Sequence, residues 1–185
     1  MMEQPNIIPI VGNHELMAIT NLRLLMKEIT GEMLDSLSVS DYGLLTDWMF
    51  NGCESTLSDF RKLGNDERLD IMDYLEDFST YEEVSAGGKN YLLVHAGLGN
   101  FSREKPLEDY NIDELVWERP DYSKRYFDDI YVVTGHTPTQ LIDANPRPGY
   151  IYRNENHIAI DCGAFIEGGR LSAICLDTGE EYYSR

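Results

Sequence analysis

Apolar positions follow a helical period up to about residue 80 and a strand-like pattern beyond it. Leu22, Leu25, Met26 and Ile29 fall at i, i+3, i+4 and i+7. They predict a helix from Glu15 to roughly Ile29, closed by Gly31. Ile71, Tyr74, Leu75 and Phe78 repeat that spacing in an acidic stretch, residues 40–80, that reads as helical. Gly64-Asn65-Asp66 breaks this stretch in two. With no strand pattern in it, the region of about 30–80 is expected to form a cap over one end of a sheet. Ahead of the first helix, Asn6-Ile7-Ile8-Pro9-Ile10-Val11 reads as a short buried strand ending at Gly12, with the proline at a strand start or edge.

From Tyr81 the pattern becomes β. Tyr81–Ser85, a Gly87-Gly88 turn and Asn90–His95 predict a hairpin. Asp129–Thr134 is a second buried run. His157–Asp161 and Leu171–Leu176 are two further strands joined through residues 166–170, and Asp177-Thr178-Gly179-Glu180 turns into a last strand at Glu181–Ser184. Asn145-Pro146-Arg147-Pro148-Gly149 reads as an exposed loop. The elements predict one α/β (α+β) domain over residues 1–185, with a mixed sheet and the helices of residues 15–80 grouped on one side.

Composition narrows the function. A 42% hydrophobic and 26% charged chain is globular rather than disordered. No apolar run approaches the ~20 residues of a membrane helix, and no signal peptide is visible. Cys53, Cys162 and Cys175 are odd in number and form no CxxC pair. They indicate neither a disulfide framework nor a zinc knuckle, and a reducing cytoplasm is the expected compartment. The formal charge of −18 argues against nucleic acid as a partner. It also means that a phosphate ester approaching the protein needs a locally positive site.

Three histidines each follow a β-like run and open a turn: Gly12-Asn13-His14-Glu15, Val94-His95-Ala96-Gly97 and Gly135-His136-Thr137-Pro138. Such a cluster at strand ends suggests a two-metal phosphoesterase. The Asn13 carbonyl oxygen can coordinate a cation without adding charge. His14 has a side chain suited to proton transfer near neutrality; the plainer alternative is a turn in which Asn-His-Glu only caps a helix. His95 and His136, each beside glycine, fit imidazole ligands gathered at one sheet edge. His157 lacks that setting and reads as structural or exposed. Arg119, in Trp117-Glu118-Arg119-Pro120, is able to clamp a phosphate through two parallel N–H bonds; the tetrapeptide alone fits a surface arginine beside a packed tryptophan equally well. Asp161 ends a strand and reads as a residue that shapes the turn, with a supporting bond to a ligand histidine as the alternative.

Taken in order, Gly12-Asn13-His14-Glu15, Trp48-Met49-Phe50-Asn51-Gly52, His95-Ala96-Gly97, Trp117-Glu118-Arg119, Gly135-His136-Thr137-Pro138 and Ile160-Asp161-Cys162-Gly163-Ala164 resemble the phosphoprotein phosphatase family of calcineurin-like metallophosphoesterases. The likeness is to the bacterial and phage branch that includes lambda phage protein phosphatase, and it covers essentially the whole chain. The resemblance implies a metallophosphoesterase-like mixed sheet flanked by helices. It implies hydrolysis of phosphate monoesters in phosphoproteins or small phosphoesters by a hydroxide activated between two divalent ions, Mn, Fe or Zn. By resemblance Asn13, His95 and His136 match metal ligands, His14 matches the acid that protonates the leaving oxygen, and Arg119 matches a phosphate-binding arginine. Two alternatives stay open: a symmetrical dinucleoside tetraphosphate hydrolase, and a non-catalytic remnant or interaction module.

The sequence departs from the family pattern at its start. The opening motifs of the form GDxHG and GDxxDRG do not occur in it, and Val11 stands where many members carry arginine before GNHE. Two units of about 30 residues each would place the family's start roughly 60 residues upstream. The expectation is a chain lacking the first strands and about half of the active site. Three neutral ligands without a bridging carboxylate should hold at most one divalent ion, weakly, and support little turnover. A sheet flank bared by missing strands is expected to self-associate.

Overall fold

A computed structural model describes residues 4–26 and 36–184. The chain divides into two compact units, Met1–Phe78 and Ser79–Arg185.

The first unit is helical. Helix α1 spans Asn13–Leu25 and starts at Gly12, whose N–H donates to the Glu15 carboxylate at 3.0 Å. A glutamate three residues into the helix thus satisfies a backbone donor that the helix cannot. Helix α2 (Val39–Phe50) is capped by Ser38. Its Oγ accepts from Asp41 N, and the Asp41 carboxylate accepts from Ser38 N. Helices α3 (Glu54–Phe60) and α4 (Asn65–Glu76) follow. Met17, Ala18 and Leu22 of α1 share a core with Trp48 of α2, Cys53, Phe60 of α3 and Met72 of α4. Asn21 is buried in this unit but satisfied: its Nδ2 donates to Met17 O at 2.9 Å and to Leu44 O at 3.3 Å, joining α1 to α2.

Two expectations change here. Residues 6–11 do not form a buried strand: only Ile10 takes part in a bridge, and Ile7 and Ile8 are exposed. Pro9, in the middle of this run, carries no backbone donor, which interrupts a continuous ladder. In the last helix the buried apolar side chain is Met72, while Phe78 lies past the helix end with its ring edge-on to Tyr74 at 5.0 Å. The expected end of the first helix, Ile29 and Gly31, lies outside the described residues.

The second unit carries a five-stranded mixed sheet. Strands β1 (Tyr81–Ala86) and β2 (Lys89–Val94) form the expected hairpin. Gly87 (φ 56) and Gly88 (φ 74) are both left-handed, as a two-residue turn of this twist requires. Strand β3 (Ile130–Thr134) runs parallel to β2, and the crossover between them carries a short helix, α5 (Ile112–Val116). Strands β4 (Tyr152–Asn154) and β5 (His157–Ala159) pair antiparallel, and β5 lies parallel to β3. The spatial order is β1-β2-β3-β5-β4. Leu92, Val94, Val132, Val133, Thr134, Ile158 and Ala159 are buried, as central parallel strands require.

A separate two-stranded sheet pairs β6 (Ser172–Ile174) with β7 (Glu181–Tyr183). The strand near residue 171 therefore belongs to a second sheet and does not extend the one containing His157. Strand β5 stops two residues short of Asp161, and the three-residue β4 has no counterpart in the sequence reading. In the loop after residue 144, Pro146, Arg147 and Pro148 are exposed, but Asn145 is buried and donates from Nδ2 to Thr139 O at 3.0 Å.

Candidate active site

One row of residues crosses the sheet in register: Val94 pairs with Thr134, Thr134 with Ala159, and Ala159 with Tyr152. Because β2, β3 and β5 are parallel, the segments leaving them emerge at one edge. His95 follows Val94 directly, and His136 stands two residues past Thr134. Gly135 N–H donates to His95 O at 2.8 Å, joining the two exits. His136 itself is left-handed, with φ 59. The imidazole rings lie 5.1 Å apart, centroid to centroid, at 57°. Two imidazoles bound at about 2.1 Å to one ion would have centroids roughly 5 Å apart for angles near 90–110°. The pair therefore fits a single divalent cation. Among the described residues no group of three or more His, Cys, Asp or Glu side chains is placed to hold a metal.

The Trp117–Pro120 segment packs against the same exit. Ala96 N–H donates to Leu115 O and Gly99 N–H to Glu114 O, both at 2.9 Å. A Cβ on Gly97 would stand 2.6 Å from Pro120 Cγ and 3.3 Å from Glu118 Cγ, so glycine alone permits this approach. Arg119, between those two residues, is exposed. Trp117 is not packed away: it is 42% exposed, and its ring stands edge-on to His136 at 6.0 Å. The sequence offers no signal for that contact, since it joins the end of α5 to the turn after β3.

Glu114 anchors the loop behind His95. Its carboxylate accepts from Lys105 Nζ at 2.8 and 2.9 Å, from Asn100 Nδ2 at 3.1 Å and from Asn111 N at 3.1 Å. The Lys105 ammonium first, then Asn100 and the Asn111 amide, hold its pKa down from 4.5 to about 2. A carboxyl with a depressed pKa stabilises the fold fully above its ordinary value and loses that contribution as pH falls through the folded one. Glu114→Gln should therefore be less stable than the parent above pH 4.5, and the difference should shrink as pH falls toward 2. Urea titrations of both proteins across that range measure it; a pH-independent difference would show that the charge is not the cause.

Asn13 and His14 are the first two residues of α1 in the helical unit; Asn13 is buried and His14 exposed. Glu15 does cap that helix, as noted above, so the capping role belongs to the glutamate. Asp161 shapes its turn: Oδ1 accepts from Gly163 N at 2.9 Å, and its carbonyl accepts from Thr139 N at 2.8 Å. His157 is structural and fully buried rather than exposed. Its Nε2 is 2.9 Å from Lys124 O, and its ring meets Tyr122 and Tyr126 edge-on. Burial lowers its pKa and favours the neutral ring.

Among the described residues no helix is long and apolar enough to cross a membrane. No curated protein matches the chain. The family model that describes calcineurin-like phosphoesterases matches residues 1–176, and with that match spanning the mixed sheet and its paired histidine exits, the chain belongs to the calcineurin-like phosphoesterase family.

Proposed function

We propose that this phosphoesterase is a serine/threonine-type protein phosphatase that hydrolyses phosphate monoesters. Its family usually works with divalent metals. The observation that carries the reading is the imidazole pair, 5.1 Å apart on two hydrogen-bonded strand exits. In this proposal His95 and His136 hold a divalent ion, with the Asn13 carbonyl as a further ligand. A bound ion of this kind activates water and offsets charge at phosphorus. Arg119, beside the His95 turn, grips the phosphoryl oxygens through its planar fork. His14, exposed at the start of α1, supplies a proton to the departing serine or threonine oxygen.

The test is phosphate release from a phosphoserine peptide in Mn²⁺, with and without Arg119→Gln. The variant should raise KM about tenfold to a hundredfold, the worth of a charge-assisted hydrogen bond. Release from a dinucleoside polyphosphate but not from the peptide would overturn the substrate class. An unchanged KM would remove Arg119 from phosphate binding.

A further inference from the structure

A second cluster with unspent chemistry lies on the same sheet edge. Tyr150 stands two residues ahead of β4, and Tyr152 ends the row that begins at Val94. Strand β4 is two places from β3 in the sheet. At about 4.8 Å per strand, Tyr150 is offset from the His136 exit by roughly 10 Å along the edge.

Two guanidinium groups converge on Tyr150. Arg147 Cζ lies 3.6 Å and Arg170 Cζ 4.1 Å from the ring centroid. The two guanidinium groups beside the phenol hold its pKa below the ordinary value, Arg147 contributing most. Arg170 Nε is buried without an acceptor. Among the described residues no carboxylate lies within ion-pair distance of either arginine, whereas Arg23, Arg103, Arg125 and Arg153 each have one. The neighbouring Glu181 is already engaged by Arg153 and by the Tyr183 hydroxyl. In a chain of net charge −18, this is a concentration of unneutralised positive charge.

The cluster is built on ordered turns. Tyr150 N–H donates to Arg147 O, Arg147 N–H to Asn145 Oδ1, and Arg170 N–H to Cys162 O. Gln140 braces these turns, donating from Nε2 to Cys162 O at 2.9 Å. Its amide lies against left-handed Gly163, 2.7 Å from where a Cβ would be. Cation–ring contact alone accounts for one arginine on a tyrosine. It does not account for two like charges brought to one phenol with a buried donor left open, an arrangement that an anion would complete.

We propose that Arg147, Tyr150 and Arg170 form an oxyanion site for a phosphoryl group, set beside the histidine pair on one sheet edge. Guanidinium forks match tetrahedral phosphate oxygens, and the phenol adds a third hydrogen-bonding group. That the phosphoryl group is a second one on the substrate rests on the hydrolytic reading above; occupancy by free phosphate does not.

The experiment is calorimetric titration of the whole chain with inorganic phosphate in EDTA, so that no metal competes for the ligand. Arg147→Gln/Arg170→Gln should weaken binding at least tenfold with an unchanged circular dichroism spectrum. Arg147→Gln alone, at an exposed position, should weaken it severalfold and covers the case in which the double variant fails to fold. Wild-type affinity in a folded double variant, or a loss produced by Arg119→Gln instead, would overturn the site. The source is read by comparing peptides with one and with two phosphoserines. Tighter binding of the second, abolished in the double variant, assigns the site to substrate; equal binding assigns it to free phosphate. Binding without peptide hydrolysis leaves this site standing and counts only against the catalytic reading.

Discussion

Removing either imidazole of the histidine pair is expected to weaken divalent-ion binding by a hundredfold or more. Loss of a group that merely supports a ligand typically costs about 10–100-fold in affinity, and here the ligand itself is removed from a pair that among the described residues has no carboxylate cluster beside it. The two positions need different substitutions. His95 follows a strand directly, and His95→Ala removes the ring with little demand on the backbone. His136 sits at φ 59, where alanine would be strained. His136→Gly deletes the imidazole while accepting that conformation. Titration with Mn²⁺ or Co²⁺ followed by calorimetry reads the affinity. Equal ion binding by both variants and the parent would place the metal elsewhere in the chain and remove the basis of the proposed function.

The second large effect is expected at His14. Loss of a general acid typically costs 10²–10⁴-fold. That cost scales with how much the departing oxygen needs the proton. His14→Ala should therefore depress kcat by about 10²–10⁴-fold on a phosphoserine peptide, whose alkoxide is a poor leaving group. On p-nitrophenyl phosphate the loss should be much smaller, because the phenolate departs with little help. His14 is exposed, so substitution should leave folding intact, and thermal melts of parent and variant check this. Equal losses on both substrates would mean that His14 positions something rather than donating a proton.

Most of the β architecture was readable from the sequence because its signals are local. The Gly87-Gly88 pair fixes the β1–β2 hairpin, and the apolar run at 130–134 can only be a buried strand. The helical stretch of residues 40–80 was equally plain, since Ile71, Tyr74 and Leu75 keep helical spacing and Gly64 marks a break before α4. What escaped depends on distant partners. The strand expected at residues 6–11 has the right side chains, but Pro9 removes a donor that a ladder needs. Strand β4 is three residues long and exists only because β5 pairs with it. At the site, the histidines announced themselves by following apolar runs. Trp117 against His136, and Arg170 on Tyr150, are contacts between separate segments of the chain. No spacing rule reaches across such separations.

The parallel pairing of β2 with β3 also sets the order in which the protein can acquire its chemistry. The β1–β2 hairpin closes a two-residue turn and can form early, whereas Tyr91 meets Tyr131 only after a forty-residue stretch has been drawn shut. His95 and His136 follow those two strands, so they meet only once that long-range pairing has formed. A newly made or partly denatured chain would hold the two imidazoles apart and have no affinity for a metal through them. Ion uptake would then act as a late latch, drawing the β2–β3 pairing toward the folded state.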